Sequence, residues 1–151
     1  MSSGQVVLVV AIALALAFGA YRAAVDGRFR GTHRVRGSVE PVAPVETTWE
    51  VISSLGAGSG DLGERATLVQ FSTAFCAPCR ATRRILSDVA LKVPGVAHVE
   101  IDAEHHLALV RRVGITRTPT TLVLDGEGHE RTRAAGAPTT SQVLQAIAQL
   151  P

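Results

Sequence analysis

The sequence predicts an α/β domain, a central mixed sheet flanked by helices, placed after an N-terminal transmembrane helix. Three observations lead there. Val6 to Tyr21 carry no charge and are almost entirely aliphatic. From Thr67 onward, short apolar runs alternate with segments whose apolar residues recur at helical spacing. The only two cysteines, Cys76 and Cys79, sit two residues apart where one such run meets one such helix. The element order read from Thr67, β-α-β-α-β-β-α, implies a mixed sheet with helices packed on it.

Ser2 to Gln5 are also uncharged, which brings the apolar stretch to about the 20 residues that a membrane-spanning helix needs. Tyr21 suits the membrane–water interface. The chain is 46% hydrophobic with only 4% aromatics, and the excess lies in this stretch. A secretory signal peptide is the competing reading. Ala15-Leu16-Ala17 imitates a cleavage site, but no Lys or Arg precedes Tyr21. No cysteine lies near the segment, which excludes a lipoprotein, and a buried core helix is rarely so uniformly apolar. Arg22, Arg28, Arg30, Arg34 and Arg36 follow the segment. The positive-inside rule places that side, and the domain after it, in the cytoplasm. A nucleic-acid partner is not expected, because the net charge is only +2 and no aromatic platform accompanies the arginines. The chain divides into a transmembrane anchor over 1–22, a basic and Pro-containing linker over 23–46, and a folded domain over 47–151.

Gly37 to Pro44 contains two prolines among small residues and suits an extended spacer. Thr47 to Leu55 is a short element whose type the pattern does not decide, with Trp49 packing on the core. Gly56 to Gly60 is a loop. Thr67 to Ser72 is an apolar strand. Pro78 to about Val93 is a helix: Pro78 fits a first turn, where its missing N–H is not needed, and Ala81, Ile85, Leu86 and Val89 form a stripe. Pro94-Gly95 ends it. Val96 to Ile101 is a second strand, Glu104 to Val113 a helix ending at Gly114, and Thr120 to Leu124 a third strand. Asp125 to Gly128 turns into a fourth strand, His129 to Ala135. Thr140 to Leu150 is the last helix, with Val143, Leu144 and Ile147 on one side.

Two thiols placed together at a strand-to-helix junction point to dithiol/disulfide chemistry. A structural zinc site would need two of His98, His105 and His106 as further ligands. Those residues form no second knuckle, and adjacent His105 and His106 cannot share a helix face. No metal is expected, and the histidines read as surface residues. A disulfide closing so short a loop adds little stability by constraining the unfolded chain.

These features resemble the thioredoxin superfamily, and in particular its membrane-anchored bacterial members. Leu68 to Arg80 (LVQFSTAFCAPCR) has the family's strand, active-site turn and helix start. Val99-Glu100-Ile101-Asp102 is similar to its central strand ending. Gly114 to Thr120 (GITRTPT) is similar to its cis-proline segment, with Pro119 forty residues after Cys79. Gly136 matches the glycine before the last helix. The resemblance implies a thioredoxin-like fold and a thiol-disulfide oxidoreductase whose redox disulfide is Cys76–Cys79. Cys76 attacks and Cys79 resolves, with no cofactor beyond the cysteine pair. Helix N–H groups favour the Cys76 thiolate, and Arg80, Arg83 and Arg84 add positive charge. A cis Pro119 and Thr118 bind an extended substrate segment by strand addition.

Three positions depart from the family pattern and tune the site. The buried aspartate six residues before the nucleophile is Gln70, the tryptophan before it is Phe75, and another aromatic position is Ser72. Pro78 completes the dipeptide between the cysteines. The expected partners are a protein disulfide substrate, an unidentified electron donor or acceptor, and the membrane. Two alternatives stand beside this reading: a membrane-tethered sulfur-handling or binding module without turnover, and an extracytoplasmic thiol reductase for cytochrome maturation.

Overall fold

The structure, a computed structural model, describes residues 2–25, 27–31, 46–58 and 60–151. A long helix α1 (Ser3–Val25) comes first, then a three-residue strand β1 (Phe29–Gly31) and a short helix α2 (Thr48–Ser54). β2 (Ala66–Ser72), α3 (Ala77–Lys92), β3 (Val96–Asp102), α4 (Leu107–Val113), β4 (Thr120–Asp125), β5 (Glu130–Ala135) and α5 (Thr140–Ala148) follow. The predicted order from β2 onward is the observed one.

α1 is 23 residues long, which at 1.5 Å per residue gives about 35 Å. Its span from Ser3 to Arg22 has a mean hydropathy of 2.2 and no buried side chain. It therefore meets the length and composition of a membrane-crossing helix, as a signal sequence also does.

The sheet order is β1-β5-β4-β2-β3. β2 and β3 run parallel, while β2–β4, β4–β5 and β1–β5 are antiparallel. Side chains of β2 alternate between the faces. Val69 and Phe71 join Ile52, Val99, Ile101, Leu109, Leu122 and Leu124 on the α2/α4 face. Ala66 and Leu68 join Leu86, Val89, Val123, Val143 and Ile147 on the α3/α5 face. Phe71, Ile52, Leu68 and Leu86 have no exposed surface, and burying each contributes roughly 1.5–3 kcal/mol.

One element left open by the sequence is settled and three expectations change. The segment Thr47 to Leu55 is helical: Thr47 Oγ1 accepts from Glu50 N–H at 3.1 Å, and Glu50 Oε2 accepts from Thr47 N–H at 2.6 Å, a reciprocal capping box. Trp49 packs on the core as expected. The region read as linker contains β1, paired to β5 as Phe29↔Ala134, Arg30↔Arg133 and Gly31↔Thr132. The spacer stretch Gly37 to Pro44, and Ser59 in the glycine loop, lie outside the described residues. α4 starts at Leu107 rather than Glu104, because Asp102 Oδ1 accepts the Glu104 N–H at 2.8 Å and folds the preceding residues into a turn. α5 ends at Ala148, two residues before Leu150.

Candidate active site

β2 delivers the cysteine segment to the end of the sheet where β4 begins, since Phe71 pairs with Thr120. Cys76 is the N-cap of α3, in extended conformation, and its Sγ accepts the Cys79 N–H at 3.1 Å. Ala77 and Pro78 form the first turn, where proline displaces no helical hydrogen bond. Cys76 and Cys79 are joined as a disulfide, with Cα atoms 5.2 Å apart. Cys76 is half-buried, whereas Cys79 is only 2% exposed. The two sulfurs therefore differ in access before any chemistry is considered. Phe75, beside Cys76, is fully exposed.

The Thr118–Pro119 bond is cis, as the resemblance implies. Thr118 Oγ1 lies 3.3 Å from Thr73 Oγ1, so this hydroxyl bridges the cis-proline and cysteine segments. Pro119 O accepts the N–H of Gly136 at 2.8 Å.

Gln70 lies behind the disulfide with no exposed surface. Its Nε2 donates to Cys79 O at 2.9 Å. Its Oε1 is buried and accepts no hydrogen bond among the described residues. Two further buried oxygens share that condition, Thr82 Oγ1 on α3 and Thr121 Oγ1 on β4. Thr121 pairs directly with Gln70, so the two side chains share the sheet face that α3 covers. A layer of neutral polar groups thus backs Cys79. Sequence reasoning found Gln70 but missed both threonines.

A cleft of about 400 Å³ opens beside Cys79, lined by Thr73, Arg80, Arg83, Glu100 and Asp102 among others. Arg83 is committed to Glu100 (Nε–Oε2 2.6 Å), which raises the Arg83 pKa. Ser72 also donates to Glu100, at 2.6 Å. Of the three arginines expected near the thiols, Arg80 therefore lines the cleft unpaired with Glu100, while Arg83 is neutralised. Asp102 is held below the usual carboxylate range by its hydrogen bond to His105 at 2.8 Å and by the Glu104 N–H.

His98 is not a surface residue. β3 places it under α3, half-buried, with Nδ1 3.1 Å from Ser87 Oγ and a buried Nε2 that has no partner among the described residues. Burial lowers its pKa, partly opposed by the charge of Glu100 and reinforced by Arg83. Among the described residues, no histidine hydrogen-bonds to either cysteine. Among the described residues, the cluster with metal-ligand geometry is Asp125, Glu127 and His129, in the β4–β5 turn at the other end of the sheet. Burial pushes the Asp125 carboxyl up, but the His129 N–H and Arg131 outweigh it and hold the group low.

Residues 61–149 match the family model for thioredoxin. The chain belongs to the thioredoxin family. It is 27% identical over 113 residues to a putative thioredoxin H10 of Arabidopsis thaliana, across 75% of this chain and 70% of that one. It is 30% identical over 74 residues to thioredoxin H-type 1 of Nicotiana tabacum, across 49% of this chain and 58% of that one. Among solved structures, Fasciola hepatica thioredoxin superposes with a TM-score of 0.55 at 20% identity, covering 71% of this chain and 97% of that one. Spinach chloroplast thioredoxin F gives 0.52 at 21% identity, covering 66% and 82%. These structural likenesses establish the thioredoxin fold. The family membership supports thiol-disulfide oxidoreductase activity in general, and the Cys76–Cys79 pair is present for it.

Proposed function

We propose that this thioredoxin is a membrane-tethered reductase of protein disulfides, with its domain on the cytoplasmic side. The observation that carries the redox reading is the asymmetry of the pair: a half-exposed Cys76 capping α3, bonded to a Cys79 that is 2% exposed. In the dithiol form, the Cys76 thiolate is favoured by the unpaired N–H groups of the helix start, of which the Cys79 N–H already points at its sulfur. That thiolate attacks a substrate disulfide. One substrate thiol leaves and a mixed disulfide forms through Cys76. Cys79 then loses its proton and attacks the Cys76 sulfur. The second substrate thiol leaves, and the Cys76–Cys79 disulfide is restored. Two electrons have passed from the dithiol to the substrate.

Tethering is supported by the apolar helix α1, and the cytoplasmic side by Arg22 in its last turn and Arg28 just after it. In this reading an extended substrate segment adds by backbone hydrogen bonds beside Thr118 and Pro119. The test is insulin reduction by the full chain with a small dithiol as electron source. Wild-type protein is expected to turn over, and Cys76→Ser to be inactive. No turnover by the wild-type chain rejects the reading in favour of a module that binds without turnover, and activity that survives Cys76→Ser rejects Cys76 as the nucleophile.

A further inference from the structure

The redox centre is joined to the apolar helix by a very short route. α1 ends at Val25, and Gly27 already donates its N–H to Ala135 O at 3.0 Å. Gly27 has φ +73°, and a Cβ there would lie 2.2 Å from Ala137 O, so backbone contact excludes any side chain. Phe29 pairs with Ala134, and its side chain packs against the α3/α5 core. The segment that leaves α1 is therefore bonded to the domain. The proline-containing stretch that reads as a spacer comes after β1 in the chain, and does not separate α1 from the sheet.

Strand directions decide which end of the domain this is. β2 and β3 are parallel and lead toward Cys76 and Asp102. β4 is antiparallel to β2 and starts at that end, one residue after Pro119. β5 finishes there at Ala135, and β1 begins there at Phe29. α1 thus attaches at the end of the sheet that carries the disulfide. Ala135 and Gly136 connect the two directly, since one binds Gly27 and the other binds Pro119. Neighbouring strands lie about 4.8 Å apart, so β1 is about 10 Å from β4 and about 15 Å from β2.

The same end has the character of a bilayer-facing surface. Ala74, Phe75, Ala77 and Pro78 are exposed, Phe75 completely, and Thr73 to Pro78 carry no charge. Arg28, Arg80 and Arg117 are exposed at this end, Arg117 also bonding Ala135 O. Aromatic side chains favour the interface, and basic ones favour anionic headgroups. Among the described residues, the acids at this end are Asp102, bound to His105, the exposed Glu104, and Glu100, paired with Arg83.

We propose that the Cys76–Cys79 centre faces the membrane, and that its substrates are disulfides of membrane proteins lying within about 20 Å of the bilayer surface. The proposal rests on the tethered-reductase reading and uses the same exchange: the substrate disulfide becomes two thiols as the Cys76–Cys79 bond forms.

The test uses the full chain in nanodiscs of phosphatidylcholine and phosphatidylglycerol. Two lipid-anchored peptides each carry one disulfide, one next to the headgroups and one raised about 50 Å on a proline-rich spacer of about 16 residues. The reduced full chain is expected to reduce the near probe at least about tenfold faster than the raised one, given that effective concentration collapses when a tether cannot span the gap. Inserting about 20 Gly/Ser residues between Val25 and Gly27, with a reach of roughly 25 Å, should let the raised probe catch up. Reduction of a soluble peptide disulfide should be equal in both forms. Equal near and raised rates in the native chain, or a ratio untouched by the insertion, overturn this proposal alone if the soluble peptide is still reduced. No reduction of the soluble peptide by either form overturns the reductase reading and this proposal together.

A second measurement needs no turnover. In the Cys79→Ser chain, energy transfer from a dye on Cys76 to headgroup acceptors should exceed that from a dye at Glu127→Cys in a chain lacking both native cysteines. Glu127 lies at the opposite end of the sheet, about 20 Å away along the strands. Equal or reversed transfer contradicts the orientation.

Discussion

Replacing Gln70 by Asp probes how the buried cysteine loses its proton. Gln70 is fully buried, its Nε2 holds Cys79 O at 2.9 Å, and its Oε1 is unbonded among the described residues. An amide accepts a hydrogen bond from a thiol but takes no proton from it. Wild-type resolution should therefore rise steadily with pH as the Cys79 thiolate fraction grows. A carboxylate at this position would be pushed toward protonation by burial, which brings its pKa up toward neutral pH. General base catalysis is worth about 10²–10⁴-fold where geometry allows. The shorter side chain reaches less far, so the lower end of that range, about 10²-fold near neutral pH, is expected. The variant should also lose stability: one lost buried hydrogen bond and one lost methylene amount to roughly 2–4 kcal/mol. The assay is rapid-mixing decay of a mixed disulfide on Cys76, from about pH 6 to 9, with denaturant unfolding measured in parallel. Equal decay rates at every pH would refute the reasoning and make Gln70 a packing residue.

Cys76 is half-buried and Cys79 is 2% exposed, so after reduction a short pulse of iodoacetamide should modify Cys76 and spare Cys79; faster labelling of Cys79 reverses the assignment of nucleophile and resolver. A phosphatase fused after Pro151 should be inactive and a fluorescent protein fused there should glow; an active phosphatase, or a mature chain starting near Phe18, restores the exported or signal-peptide reading. Burial lowers the His98 pKa below the ordinary 6.5, with Glu100 and Arg83 as the charged groups facing it. The unfolded chain then binds more protons, so this contribution is complete above 6.5 and is lost as pH falls below it. His98→Asn should flatten the stability–pH curve between about pH 7 and 5, and an unchanged slope there would contradict the burial of the ring. Asp102 and Asp125, held below 3.8, act only in stronger acid.

What was legible in the sequence was what periodicity and local chemistry write down. β2 and β4 are buried along their whole length, and α3 shows its stripe over one face. Cys76, Pro78 and Cys79 mark a helix start on any reading, and Thr118-Pro119 followed from the family resemblance. Thr47 and Glu50 spell a capping box that marks the start of α2, but a seven-residue helix is too short for its period to separate it from a strand. β1 left no signal: three residues are too few for a period, and its anchoring is backbone bonding to β5 and one aromatic side chain. Thr82 and Thr121 look like ordinary surface residues in a linear reading. Only the register that pairs Gln70 with Thr121, and the buried side of α3, bring their hydroxyls behind Cys79. His98 reads as a surface residue in sequence, but β3 alternates under α3, which turns this polar residue into the layer beneath the helix.

That Cys76 attacks and Cys79 resolves is tested most directly by mass spectrometry of the Cys79→Ser chain after incubation with a peptide disulfide. A stable one-to-one mixed disulfide on Cys76 is expected, absent from wild type because Cys79 releases it. No adduct on Cys76, or an equally stable adduct in the wild-type chain, would contradict the account.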